Sequence, residues 1–254
     1  MGGNSANFRA GAVIVAHGER GGAFSNAILQ GHAGLVASAV SGVVVRAGVL
    51  SGEPTLEEAL AAVAEQTDGP ILIYPFFMAA GYFVNVKIPK RLADAGVGER
   101  CRVLAPLGTS EALPALIHAK ALDTAAGAGI EGPDARLLVV GHGSKVARAS
   151  AEATAAVALR LREIGGFAEV VTAFLEEAPF LDDVVMASDR ATVVVGFFNG
   201  DGLHAAEDVP QALAAFTGPI AYTGPVGAFA EISALIEKTI AASVSETTGE
   251  SAEF

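Results

Sequence analysis

The sequence contains two copies of one pattern, a short apolar run that ends on a histidine followed by glycine. The first copy is residues 13–20, VIVAHGER, and the second is residues 137–145, LLVVGHGSK. A short, β-branched run bounded by glycine is typical of a buried parallel strand. Each histidine is therefore expected at the carboxyl end of a strand, and the chain is expected to use the same structural unit twice.

Further landmarks keep the same order and spacing in both copies. The matched pairs are His17 to Pro54 and His142 to Pro179, each 37 residues apart, and Phe77 to Pro89 and Phe198 to Pro210, each 12 residues apart. Several agreements in one order indicate an internal duplication whose period is about half the chain. We therefore predict two tandem lobes, residues 1–126 and 127–254, with a frayed, disordered tail over about 243–254.

Apolar runs that alternate with helical patterns predict the fold of each lobe. In the first lobe, strands are expected at 13–16, 43–50, 71–77 and 102–106. Thr55 and Glu58 form a capping box that opens a helix, and a loop over 78–88 leads to a second helix at Pro89. This order predicts an α/β fold in which each lobe is a small parallel β-sheet flanked by helices.

Composition and charge limit the partners of the protein. A net charge of −12, without a basic cluster that includes aromatic residues, argues against nucleic acid. Polar residues interrupt the apolar window at 33–50, so no membrane span is expected. The single cysteine, Cys101, excludes an intramolecular disulfide framework and favours a reducing compartment. With no evident targeting signal, we expect a cytoplasmic protein.

Alignment of the two copies shows where they differ chemically. It places His142 over His17, Glu176 over Ser51 and His204 over Phe83. The three C-terminal residues follow predicted strand ends, which share one edge of a parallel sheet, where ligands bind. Two imidazoles and a carboxylate suit a divalent transition metal and accept protons near neutral pH. A single histidine after a strand is more often a loop or core residue than a ligand, so the prediction depends on all three residues. Glu177 is the less favoured carboxylate.

Other motif classes fit the sequence poorly. The segment GHGSK lacks the glycine spacing of both nucleotide-binding loops. The Gly-x-Ser-x-Gly elbow of serine hydrolases and the His-Glu-x-x-His motif of metalloproteases are absent from the sequence. His32 and His118 lie within helical patterns and are interpreted as structural or surface residues.

Together these segments resemble the class II tetrapyrrole chelatases, which insert metal into sirohydrochlorin. The segments that match are VAHGER, VVGHGSK, AFLEEAPFLDD, GYFVNVKIPKRL and GLHAAEDVPQAL. The resemblance covers nearly the whole chain and implies two similar lobes with a cleft between them for the macrocycle. It places the metal-handling residues at His142, His204 and Glu176. Long cobaltochelatases often use the N-terminal lobe, but Phe83 occupies its second histidine position here. The resemblance therefore implies that the site is in the C-terminal lobe or that activity has been lost.

The resemblance also implies an activity. We expect the chain to insert Co²⁺ or Fe²⁺ into sirohydrochlorin or a related tetrapyrrole, in cobalamin or siroheme synthesis, without an organic cofactor. The alternative left open is a non-catalytic protein that binds or delivers a tetrapyrrole or a metal. The residues considered for contact with the substrate are Arg20, Lys145, Ser144, Lys87, Arg148 and His17. A monomer is expected, a homodimer is left open, and the sequence does not choose the metal.

Overall fold

The computed structural model describes residues 8–19, 26–200 and 207–248 and contains two four-stranded parallel sheets. Their strand orders are β2-β1-β3-β4 and β6-β5-β7-β8. The strands are β1 Ala10–Ala16, β2 Val43–Val49, β3 Ile71–Pro75, β4 Cys101–Val103, β5 Arg136–Gly141, β6 Glu169–Phe174, β7 Thr192–Gly196 and β8 Ile220–Pro225. All pairings within the two sheets are parallel, which confirms the predicted fold class.

Helices connect the strands in both halves. They are α1 Ala27–Ala39, α2 Leu56–Ala64, α3 Ile88–Asp94, α4 Leu113–Gly127, α5 Ala149–Ile164, α6 Leu181–Met186, α7 Val209–Leu213 and α8 Ile232–Thr248. The predicted capping box at the start of α2 is present, because Thr55 Oγ1 accepts from the Glu58 N–H while the Glu58 carboxylate accepts from the Thr55 N–H. Within the described part of the chain, no helix has the length and apolar character needed to cross a membrane.

The chain folds into two compact units, which differ from the two expected lobes in their last helices. The N-terminal unit comprises Met1–Leu107 and Ala230–Phe254, and the C-terminal unit comprises Gly108–Phe229. Helix α4 packs on α5, β7 and β8, whereas α8 packs on α1 and β3. The boundary between residues 126 and 127 therefore separates the two sequence repeats but does not separate the compact units.

Two local expectations are corrected by the structure. Residues 243–248 are not a frayed tail, because α8 extends to Thr248 and buries Ser243 and Val244. Residues 249–254 lie outside the described part of the chain. The predicted loop at 78–88 contains a π-helix, Phe83–Lys87, that continues into α3.

The core of each unit lies around a central strand. All residues of β1 and β5 are buried, as expected for strands covered on both faces. In the N-terminal unit, His32 belongs to this interior: its Nδ1 lies 2.6 Å from Oγ of Ser233 and its ring lies 5.5 Å from that of Phe76. His118 Nε2 lies 2.9 Å from the carbonyl oxygen of Gly165 in the C-terminal unit. Both histidines therefore have structural contacts, as their helical positions predict.

Candidate active site

His142 follows the central strand of the C-terminal sheet. Gly141, the last residue of β5, is packed so closely that a Cβ atom there would lie 2.3 Å from Oγ1 of Thr154. The side chain of His142, the next residue, is exposed. The buried strand thus fixes the backbone of His142 at the carboxyl edge of the sheet, where the sequence predicts it.

A hydrogen bond within the following turn favours one tautomer of the His142 imidazole. Its Nδ1 lies 2.9 Å from the carbonyl oxygen of Gly143, and a carbonyl oxygen only accepts, so Nδ1 carries the proton in this hydrogen bond. The lone pair is then on Nε2. An imidazole in this form binds a metal ion or accepts a proton through Nε2.

Glu176 comes beside His142 because β6 is the neighbour of β5. The backbone N–H of Glu176 donates to the carbonyl oxygen of His142 over 3.0 Å. The half-buried side chain of Glu176 lines an open cavity of about 610 Å³. The other polar residues that line this cavity are Asp182, Asp183, Asp208 and Gln211. Four carboxylates around one cavity favour the approach of a cation.

Glu177 is oriented differently from its neighbour Glu176. Its Oε1 accepts a hydrogen bond of 2.9 Å from the backbone N–H of Ser144. The Ser144 hydroxyl oxygen in turn accepts from the N–H groups of Val146 and Ala147, at 3.3 and 3.2 Å. Glu177 and Ser144 therefore build the turn that follows His142, a role that the sequence analysis did not identify.

The N-terminal unit repeats the backbone of this site with different side chains. The N–H of Ser51 donates to the carbonyl oxygen of His17 over 2.8 Å, as Glu176 does to His142. Nδ1 of His17 lies 3.2 Å from the carbonyl oxygen of Gly18. The alignment of Ser51 with Glu176 is therefore reproduced in the hydrogen bonding of the two strand edges.

An aromatic contact occupies the place of a second ligand in the N-terminal unit. The ring of Phe83 lies 4.7 Å from that of His17 at an interplanar angle of 87°. Nζ of Lys87 lies 5.5 Å from the centroid of the Phe83 ring, within the range of a cation–π interaction. Neither the phenyl ring nor the ammonium group binds a metal ion, so this edge differs in side-chain chemistry from the C-terminal copy, whose sequence has Glu176 and His204 at the aligned positions.

The same comparison identifies a change of charge that the sequence analysis missed. Lys87 lies two residues before Pro89, and Asp208 lies two residues before Pro210. Asp208 lines the cavity beside Glu176. The change of charge could have been found from the sequence, because the equal distances to Pro89 and Pro210 align Lys87 in one copy with Asp208 in the other.

The remaining candidate residues are placed as follows. Lys145 and Arg148 are exposed on the segment that follows His142, and Nε of Arg148 lies 3.5 Å from Oε1 of Glu152. Arg20 and His204 lie outside the described residues. Within the described residues, no group of three or more His, Cys, Asp or Glu side chains is placed to hold a metal ion. The structure thus brings His142 and Glu176 to neighbouring strand ends, and the position of His204 stays a prediction.

Comparison with known proteins detects the same duplication. The family model described as CbiX matches the chain twice, over residues 11–124 and 136–243. A curated relative from Halobacterium salinarum, named probable sirohydrochlorin cobaltochelatase, is 29% identical over 222 residues, which cover 78% of this chain and 75% of the relative.

Solved structures show the same fold. A structure described as CbiX, the terminal enzyme for the biosynthesis of siroheme in denitrifying bacteria, is 33% identical and superposes with a TM-score of 0.77. That match covers 91% of this chain and 98% of the solved one. SirB from Bacillus subtilis with Fe³⁺ is 19% identical, with a TM-score of 0.77 over 95% of this chain and 98% of its own. At that identity, SirB supports the fold alone.

Proposed function

The chain belongs to the CbiX family, and from this premise we propose that it is a metal chelatase that inserts a divalent metal ion into sirohydrochlorin. The H. salinarum relative carries the name of a sirohydrochlorin cobaltochelatase, and the solved CbiX structure is described as an enzyme of siroheme synthesis. Co²⁺ and Fe²⁺ are accordingly the two candidate substrate ions. Both accept imidazole and carboxylate ligands.

One observation supports the C-terminal unit as the place of the reaction. The hydrogen bond between Nδ1 of His142 and the carbonyl oxygen of Gly143 favours the tautomer with its lone pair on Nε2, and Glu176 follows the adjacent strand. The corresponding edge of the N-terminal unit has Ser51 and Phe83 in place of ligands. Since both copies keep the same backbone, the difference in chemistry lies in these side chains.

The reaction exchanges a hydrated divalent ion for the two pyrrolic protons of the macrocycle. We infer that His142 and His204 bind the metal ion in place of water. As the ion passes to the macrocycle, each imidazole releases it and accepts one of the two pyrrolic protons on the nitrogen that held the metal. Glu176 is the third ligand or an additional proton acceptor. Ligands and bases held at one sheet edge reduce the entropic cost of bringing metal and macrocycle together.

Recognition of the macrocycle requires positive charge or hydrogen-bond donors, because its periphery carries carboxylates. The residues proposed for this role are Arg20, Lys145, Lys87, Ser144 and His17. Arg20 and Lys145 take equivalent positions after the two His-Gly turns. The Ser144 hydroxyl oxygen accepts hydrogen bonds from two backbone N–H groups in the turn. The hydroxyl proton is the part of Ser144 that we propose donates to a carboxylate of the macrocycle. The monomeric state and the cytoplasmic location stay predictions from the sequence.

Absorption spectroscopy tests this proposal. The purified chain is mixed with sirohydrochlorin and either Co²⁺ or Fe²⁺ without oxygen, and the spectrum of the macrocycle is followed against a reaction without protein. Insertion faster than the protein-free rate is the expected result. A spectral change on binding, with no acceleration of insertion, would instead support the alternative, a protein that holds or delivers the tetrapyrrole.

A further inference from the structure

A single peptide group connects Glu177 to His142. The N–H of Ser144 donates to Oε1 of Glu177 over 2.9 Å. The carbonyl group of the same peptide belongs to Gly143, and its oxygen lies 2.9 Å from Nδ1 of His142. Consecutive hydrogen bonds of this kind polarise one another. The carboxylate of Glu177 therefore acts on the imidazole through the peptide between Gly143 and Ser144.

The turn that carries this peptide is packed against Glu177. Gly143 has a φ of 73°, which glycine adopts without strain. A Cβ atom at Gly143 would lie 2.9 Å from Cγ of Glu177 and 3.0 Å from Cβ of Phe174. The N–H of Gly143 donates to Oγ of Ser150 over 3.2 Å. Contacts on both sides hold the peptide plane in the orientation that the His142 hydrogen bond requires.

The N-terminal copy has the same peptide but a different acceptor. There the N–H of Glu19 donates to Oδ1 of Asn26 over 2.9 Å, and Nδ1 of His17 lies 3.2 Å from the carbonyl oxygen of Gly18. The residue aligned with Glu177 is Gly52. A neutral amide thus replaces the carboxylate in the copy that lacks metal ligands, while both copies retain an acceptor for the peptide N–H.

We propose that Glu177 is a positioning residue for metal insertion, which holds His142 in its Nδ1–H tautomer through the intervening peptide and so keeps the lone pair on Nε2. This role rests on the proposed function of His142 as a metal-binding group. It differs from that of Glu176, because Glu177 acts on the ligand and not on the metal. Groups that orient a metal-binding histidine commonly change affinity or activity by about 10- to 100-fold when removed.

The tautomer is measured directly by ¹⁵N NMR of the imidazole nitrogens in the metal-free, full-length chain. In the wild-type protein, His142 is expected to show a protonated Nδ1 and an unprotonated Nε2. Glu177→Leu removes the acceptor, and the Nε2–H form of His142 is expected to increase. The signals of His17 in the same sample are the internal control and should not change, because Asn26 holds that turn.

Two further variants separate this role from a general loss of structure. Glu177→Gln keeps an acceptor oxygen and should restore the wild-type tautomer. Asn26→Gly removes the side-chain acceptor of the turn that follows His17. Glycine adopts the φ of 66° found at position 26 without strain. The substitution should change the signals of His17 and leave those of His142 as they are. If Glu177→Leu does not fold, Glu177→Gly is used, since glycine is the residue at the aligned position of the N-terminal copy.

The proposal is overturned if wild-type His142 is mainly in the Nε2–H form. It is equally overturned if the folded Glu177→Leu or Glu177→Gly protein keeps the wild-type signals, or if His17 and His142 change together. Insertion by Glu177→Leu should be about 10- to 100-fold slower than by the wild type, with most of the rate retained by Glu177→Gln. If the wild-type chain inserts no metal, the proposed function fails, whereas the NMR result still decides the role of Glu177.

Discussion

The imidazole of His17 meets the ring of Phe83 edge-on, with the ring centroids 4.7 Å apart. Phe83 is aligned with His204 by its distance from the following proline. A side chain at this position of the repeat therefore reaches the histidine that follows the central strand. In the C-terminal unit, the same relationship predicts that His204 lies within reach of His142.

Restoring the missing ligands should give the N-terminal unit a metal site of its own. Phe83→His combined with Ser51→Glu places an imidazole and a carboxylate beside His17, the set that the C-terminal copy retains. We expect calorimetric titration with Co²⁺ to show one more bound ion per chain than the wild type. Phe83→Leu combined with Ser51→Glu is the matched control and should bind no additional ion. An unchanged stoichiometry in the folded Phe83→His variant would contradict the assigned equivalence of the two edges.

The histidines of the C-terminal copy, His142 and His204, should respond to replacement by alanine differently from His17 of the N-terminal copy. His142→Ala removes a proposed metal ligand and proton acceptor, and kcat for insertion should fall by about 100-fold or more. His204→Ala should do the same while leaving the fold intact. His17→Ala removes only a candidate substrate contact, so KM for the tetrapyrrole should rise with little change in kcat.

His118→Gln serves as the control for these measurements, because His118 lies on α4 and bonds to the carbonyl oxygen of Gly165, a contact that a glutamine amide can replace. Circular dichroism verifies that each variant is folded. Unchanged turnover in His204→Ala would exclude it from the site.

The sequence predicts the presence and order of the strands, because buried parallel strands are short apolar runs. The ends of β1 and β2 lie within one residue of the predicted ends, whereas β3 and β4 end at Pro75 and Val103, before the predicted ends at 77 and 106, because the apolar residues continue beyond both strands. The sequence also predicts the pairing of His142 with Glu176, since adjacent strands of one sheet end at one edge. The exchange of α4 and α8 between the two units was not predictable from these patterns. Both helices bury one apolar face, and periodicity does not identify the sheet on which a helix packs.

The role of Glu177 was missed for a different reason. Two neighbouring glutamates after a strand look alike in the sequence, and only the conformation of the turn after His142 distinguishes them. The N–H of Ser144 faces Glu177, and this contact depends on the positive φ of Gly143. Hydrogen bonds between two loops of this kind are set by tertiary structure and leave no periodic signal.

Two glycines in α1 should limit the stability of the N-terminal unit. Gly31 and Gly34 are exposed, and a Cβ atom on either would meet no atom within 4 Å. Alanine reduces the backbone entropy of the unfolded chain, so each substitution should raise the free energy of unfolding by about 0.5 to 1 kcal/mol. Gly11→Ala is the contrasting variant, because its Cβ would lie 2.2 Å from Cγ1 of Val63, and it should lower the melting temperature. Equal melting temperatures for all three variants would contradict this interpretation.

The capping box of α2 should make a pH-dependent contribution to stability. Hydrogen bonds from the backbone N–H and the hydroxyl group of Thr55 lower the pKa of Glu58. Because the pKa is lower in the folded state, the contribution is present above the unfolded-state pKa, about 4.3 for glutamate, and is lost as the pH falls through the folded-state value. The melting temperature of the wild type should therefore be higher than that of Glu58→Gln at pH 7, and the difference in melting temperature should decrease as the pH is lowered below about 4.3. Glu65→Gln removes a carboxylate at the other end of α2 and should not lower the melting temperature in the same pH-dependent way. If the melting temperatures of the wild type and Glu58→Gln still differ at pH 2, the charge of Glu58 is not the source of the difference.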